Sequence, residues 1–265
     1  MCFLWEKVTY NLSYGFYSQI CKGGDDPKLK AFYTEKACHF TFLMQYFTVS
    51  AVWAYCVLKP TGWLPWQLGG SASLDEAFKA GVGLDVPMPL TKYPRSVLVY
   101  ALATNGYHIS AIINQLMKEK ASDFYEMLLH HIATCALYFC MIFGNGLSIG
   151  CVIAFLHDIA DIFVGGARIC NSTSKDGISM IFFACLLVLW VWTRIILLPQ
   201  IIYRIFMEDW DYRCRLFCQT NGFFLVVLQF MHIYWLILLV KMALNKVMHG
   251  KIDDIQNQPV SKKTN

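Results

Sequence analysis

The chain has 265 residues, of which 57% are hydrophobic and only 15% charged, against roughly 25% charged in an average soluble domain. Its mean hydropathy is +0.44 and its net charge is +4. A disordered chain, a disulfide-stapled miniprotein and an ordinary water-soluble enzyme are excluded, because a soluble core of this size could not hide so much apolar surface. What remains is an all-α, polytopic membrane protein. The charge is too mild for the dense basic stripe that nucleic acid demands, so no nucleic-acid partner is expected, and a weak preference for anionic lipid surface is. The 11 cysteines are scattered through apolar runs with no CxxC pair, which reads as small buried hydrophobes.

In chain order, residues 1–36 form a mixed N-terminal segment carrying Lys7, Lys22, Lys28, Lys30 and Lys36. No cleavable signal peptide precedes the first apolar run, which is expected to serve as its own insertion signal. Six runs reach the roughly 20 residues needed to cross a bilayer as helices, near 37–57, 96–117, 126–143, 146–164, 178–204 and 221–241. Together they make one transmembrane domain over 37–246, followed by a polar tail, 247–265. The 58–95 segment reads as loop from its glycine, proline and serine content, with Trp63, Trp66 and Tyr93 suited to the membrane interface. With both termini cytosolic, cytosolic segments hold about twice the lysine and arginine of the lumenal ones, as the positive-inside rule asks. The final Lys262-Lys263-Thr264-Asn265 matches a dilysine retrieval signal of the endoplasmic reticulum, which works only from a cytosolic tail.

Ionisable side chains inside a span are costly and mark function by default. The third span opens Asp123-Phe-Tyr-Glu126-Met-Leu-Leu-His130-His131-Ile-Ala-Thr134. Glu126, His130 and Thr134 are spaced by four and share a helix face. The fourth contains Leu156-His157-Asp158-Ile-Ala-Asp161, again on one face. By span length, His130 lies roughly 8–10 Å from the cytosolic end, and His157, Asp158 and Asp161 roughly 6–12 Å. Two histidines and two carboxylates are thus expected at one level, just beneath the cytosolic headgroups. Gly146-Leu-Ser-Ile-Gly150 would let the fourth span approach a neighbour closely. Elsewhere, Arg194 pairs with a carboxylate or snorkels. His108 and His232 fall mid-span, where a packing histidine and a catalytic one read alike. His39 and His249 lie near span ends and read as solvated. Di-iron oxidation needs many histidines in HxxHH-type boxes; this chain has 7 and no such box, so neither metal nor cofactor is expected. Acyl transfer fits: imidazole serves as general base or covalent nucleophile toward a thioester, and a carboxylate orients it.

These elements resemble the signature of ceramide synthases, which belong to the TLC-domain family. The likeness continues through Trp192-Thr-Arg194-Ile-Ile-Leu-Leu-Pro199 and Leu228-Gln229-Phe-Met-His232-Ile-Tyr-Trp235, and covers about residues 35–250. It implies a six-helix membrane barrel around a lipid-filled tunnel. It also implies an endoplasmic reticulum enzyme that joins a fatty acyl group from acyl-CoA to the amine of a sphingoid base. By position, His130 and His131 match the essential histidine pair, and Asp158 and Asp161 the acidic pair. Glu126, His157 and Arg194 are expected in support, with Lys118, Lys120 and Arg168 as candidates for the CoA phosphates. Partners implied are acyl-CoA as substrate, the sphingoid base and membrane lipid, with a homo- or hetero-dimer compatible. The family's acidic element usually reads His-Asp-x-Ser-Asp-Tyr; here Ala160 and Ile162 replace the serine and tyrosine, so local hydrogen bonding differs.

The rival reading is a non-catalytic TLC-domain protein that senses or transports lipid. Against it stands the histidine pair, which the translocation-associated branch of the family typically lacks. A proton-coupled carrier would show broken-helix pairs or an inverted repeat, and neither is visible in the sequence.

The topology predicts that the sequons Asn11-Leu-Ser13 and Asn171-Ser-Thr173 both face the cytosol and stay bare. Glycosidase digestion of protein made in microsomes should leave its gel mobility unchanged; a shift would invert or break the topology.

Overall fold

The computed structural model describes residues 2–81, 93–117, 123–143, 146–209 and 212–249. Its described residues are almost all helical: α1 (Cys2–Ile20), α2 (Pro27–Leu58), α3 (Leu74–Gly81), α4 (Arg95–Met117), α5 (Phe124–Phe143), α6 (Leu147–Ser172), α7 (Asp176–Trp190), α8 (Leu198–Met207) and α9 (Tyr212–His249). Six stretches are long and apolar enough to span a bilayer; α7 and α8 form one of them, joined by a π-helical turn, Val191–Leu197. Pro199 follows that turn. A mid-span proline lacks an N–H and crowds the carbonyl four residues back, so the helix opens by one residue per turn rather than breaking.

Two helices extend well beyond the apolar runs that announce them. α2 starts at Pro27, where the Asp26 side chain accepts hydrogen bonds from the backbone N–H groups of Lys28 (3.0 Å) and Leu29 (3.3 Å). That N-cap, with proline in the first turn, starts a helix ahead of the membrane and through the expected 36/37 boundary. α6 continues to Ser172, past the expected end at 164 and through Gly165 and Gly166. Their missing side chains let neighbours approach. A Cβ at Gly165 would stand 2.9 Å from Met44 Cβ and 3.3 Å from the Phe40 carbonyl oxygen, and one at Gly166 would meet the Phe182 ring.

The spans close into a ring. α2 packs on α6 and α4, α4 on α5, α5 on α9, α9 on the π-turn and α8, and α7 back on α6. α5 and α6, though consecutive, are not ring neighbours in the main; they face each other across the interior. One end of the ring is filled solid by a cluster that includes Leu58, Leu64, Leu147, Leu197, Leu198 and Leu225. The described residues 59–81 cap this end. Among them, α3 begins with a capping box: Ser73 Oγ accepts from the Glu76 N–H (3.2 Å), and the Glu76 carboxylate accepts from the Ser73 N–H (2.8 Å). Those hydrogen bonds hold the Glu76 carboxyl below the usual glutamate value. An Arg204–Asp75 ion pair and a hydrogen bond from Ser148 Oγ to the Gly81 carbonyl (2.5 Å) fix α3 to α8 and α6. Trp63 meets Tyr93 edge-on at 5.9 Å, while Trp66 is exposed.

The expected N-terminal segment is itself structured. α1 runs antiparallel along the first half of α2, with Trp5 against Phe42 and Tyr46, Thr9 Oγ1 donating to Gln45 (3.0 Å), and Tyr17 bonded to Thr41 (2.8 Å).

Gly165→Val should destabilise the protein by about 1–3 kcal/mol through overpacking against α2. Gly177→Ala, in open space, should not. Thermal unfolding in detergent compares the two.

Candidate active site

The rest of the ring is hollow. A cavity of about 530 Å³ reaches toward the end where α2 and α5 begin and α4, α6 and α9 finish. Its lining on α5 runs from Phe124 to Met141, about 26 Å at 1.5 Å per residue.

The mouth is polar. Glu6 of α1 pairs with His39 Nδ1 (3.2 Å) and accepts a hydrogen bond from Asn114 Nδ2 (3.1 Å). His39, read from sequence as solvated, therefore binds a carboxylate on a neighbouring helix. The Arg168 guanidinium lies 4.7 Å from the Phe40 ring centroid, and Lys22 Nζ donates to Asn171 (2.9 Å). Arg168 lines the cavity. Lys118 and Lys120, its expected companions, lie outside the described residues.

Deeper in, five histidines from four helices share the wall: His108 of α4, His130 and His131 of α5, His157 of α6 and His232 of α9. They interact imidazole to imidazole. His108 Nδ1 and His131 Nδ1 are 3.2 Å apart, and so are His157 Nε2 and His232 Nε2. His157 Nδ1 lies 2.7 Å from the Ile153 carbonyl and must donate to it. A neutral His157 is then left with a lone pair on Nε2, and His232 Nε2–H is the donor. That leaves His232 Nδ1 buried without a partner, and His130 Nδ1 likewise. The His130 ring instead packs 5.5 Å from Trp235. The Nε2 atoms of His130 and His131 make no hydrogen bond among the described residues.

The carboxylates sit beside the histidines but bond elsewhere. Asp158, 8% exposed, accepts from Ser50 Oγ (2.6 Å) and Tyr100 OH (3.4 Å). Asp161 forms a 2.6 Å ion pair with Arg194, which also donates to the His157 carbonyl (3.2 Å) and lies on the Trp190 ring at 3.9 Å. Arg194 is 3% exposed and does not snorkel. The π-turn holds it inward. Ala160 and Ile162 offer no polar side chain here, and the partners come from α2, α4 and the π-turn.

Of the residues singled out in the sequence, His130, His131, His157, Asp158, Asp161, Arg168 and Arg194 all line this one cavity. Three expectations are corrected. Neither aspartate hydrogen-bonds to the His130–His131 pair, because hydroxyls and a guanidinium already satisfy both. Glu126 is half-buried but off the cavity wall, although His130 and Thr134 are on it. The α6 residues also lie farther from their helix end than the span length predicts. With α6 continuing to Ser172, Asp161 stands about 16 Å and His157 about 22 Å from the helix end. His108 and His232, ambiguous in sequence, belong to the site, as do Ser50, Tyr100, Trp190 and Trp235. Among the described residues no group of three or more histidines, cysteines or carboxylates is placed to hold a metal ion.

Residues 36–241 match the TLC domain family. Ceramide synthase hyl-1 of Caenorhabditis elegans is 23% identical over 238 residues, 83% of this chain and 59% of that protein. Ceramide synthase hyl-2 of the same organism is 29% identical over 182 residues, 63% of this chain and 55% of that protein. Human ceramide synthase 4 is 26% identical over 170 residues, 61% of this chain and 43% of that protein. The chain thus spans about half the length of the curated relatives it matches.

Arg194→Met and Asp161→Leu should each destabilise the fold by about 3–5 kcal/mol, since each strands a charge in the bundle. The double variant should cost far less than the sum. A double-mutant cycle by thermal unfolding measures the coupling.

Proposed function

The chain belongs to the TLC-domain family, and on that premise we propose that it is a ceramide synthase. It transfers a fatty acyl group from acyl-CoA to the amine of a sphingoid base. The observation that carries this reading is the placement of the His130 and His131 imidazoles on the wall of a cavity with a polar mouth and an apolar interior. Both substrates have a water-soluble head and a hydrocarbon chain, and such a cavity suits them: the chain lies among Met127, Leu137, Ile153 and Leu228 while the head stays at the mouth. Arg168 is the mouth's candidate for the CoA phosphates.

The chemistry asks for two proton movements. The amine must be neutral to attack, and it loses a proton as the C–N bond forms. The thiolate gains one as the C–S bond breaks. A histidine of the pair supplies both, either as general base to the amine or, in a two-step route, by taking the acyl group on its own nitrogen first. Asp158 and Asp161 act from the wall. Asp161 holds Arg194 and, through it, the His157 backbone, while Asp158 joins α6 to α2 and α4. The reading carries an endoplasmic reticulum membrane location with it, the mouth and both termini facing the cytosol.

His130→Ala and His131→Ala should each reduce N-acyltransferase activity by about 100-fold or more, with the protein still inserted at normal levels. The assay is purified protein with a panel of acyl-CoAs and sphinganine, read by mass spectrometry of the lipid product. Full activity in both variants would overturn the reading.

A further inference from the structure

His108 is set apart by what it touches. It comes from α4, and its Nδ1 meets His131 Nδ1 at 3.2 Å. Both rings line the cavity. A contact between two Nδ1 atoms holds a single proton, because two N–H groups or two lone pairs would repel. The two tautomers are therefore coupled. With the proton on His131 Nδ1, His131 Nε2 carries a lone pair; with it on His108 Nδ1, a neutral His131 carries its proton on Nε2. No other hydrogen bond among the described residues fixes either choice. The Tyr138 and His130 rings, 6.2 and 6.3 Å from His108, supply packing only.

We propose that His108 is a positioning residue that acts through His131 by sharing the proton between their Nδ1 atoms. This rests on the N-acyltransferase reading. In the resting state the proton sits on His131 Nδ1, and His131 Nε2 is ready to accept. As the amine adds to the acyl carbon, Nε2 takes its proton and the Nδ1 proton passes to His108 Nδ1. His131 then stands neutral in its other tautomer, and His108 carries the positive charge. When the C–S bond breaks, the Nε2 proton goes to the departing thiolate and the shared proton returns to His131. Protons balance, and the charge does not rest on His131.

The test uses the full chain in lipid nanodiscs with His108→Phe and His108→Asn. Asparagine puts an amide oxygen where Nδ1 stands and can accept the hydrogen bond but cannot take up the proton; phenylalanine keeps only the ring. His108→Phe and His108→Asn should each lower kcat by about ten- to a hundredfold with KM for acyl-CoA unchanged. Wild-type kcat in either variant would overturn the proposal. A second readout is independent of turnover: carbethoxylation of His131 by diethyl pyrocarbonate, followed by peptide mass spectrometry. It should slow severalfold in His108→Phe relative to His130 and recover in His108→Asn. If the unaltered protein acylates no amine, the enzyme reading fails by itself, and unchanged His131 reactivity in His108→Phe would then sink the proton-sharing contact.

Discussion

A guanidinium and a carboxylate 2.6 Å apart in the middle of a helical bundle constrain everything around them. Neither charge is tolerable there alone, and together they still need help. The help is local: the Trp190 ring under the guanidinium, the His157 carbonyl beside it, and a π-turn ahead of Pro199 that aims Arg194 inward. The pair joins the α7–α8 span to α6 on the wall of the cavity. Asp158 ties α6 to α2 and α4 through Ser50 and Tyr100. Through His157, α6 also meets α9, so its polar face binds several neighbours at once.

The same economy governs the histidines. In low dielectric an unpartnered polar group is costly, and the bundle answers by pairing imidazole with imidazole. Such pairs add no net charge to the interior. His130 stands outside both pairs, and among the described residues neither its Nε2 nor that of His131 makes a hydrogen bond, on the wall of the cavity. A carboxylate-bound imidazole would be better satisfied but would bring another charge into the bundle.

The spans were legible because hydropathy is a property of one helix at a time. So was the shared face of His157, Asp158 and Asp161, which needs only the 3.6-residue repeat. Where helices ended was harder to read, since α6 runs on through Gly165 and Gly166 with Met44 and Phe182 packed beside them, which hydropathy does not register. Membership of His108 and His232 in the site was not legible at all. It follows from the order of the ring, which sets α4 and α9 on either side of α5, and no spacing within a sequence encodes that order. The same holds for the partners of the aspartates. Ser50 and Tyr100 carry no motif, and periodicity suggested an imidazole where the fold supplies a hydroxyl. Glu126 shows the converse error: an i,i+4 relation to His130 does not guarantee that both side chains reach the same lumen.

The solid end of the ring bounds the cavity. Leu58, Leu147, Leu197, Leu198 and Leu225 pack without exposure to solvent, and the strapped-down α3 lies over them. A hollow with a polar mouth and an apolar interior thus backs onto a dry plug, which separates it from the far end of the bundle.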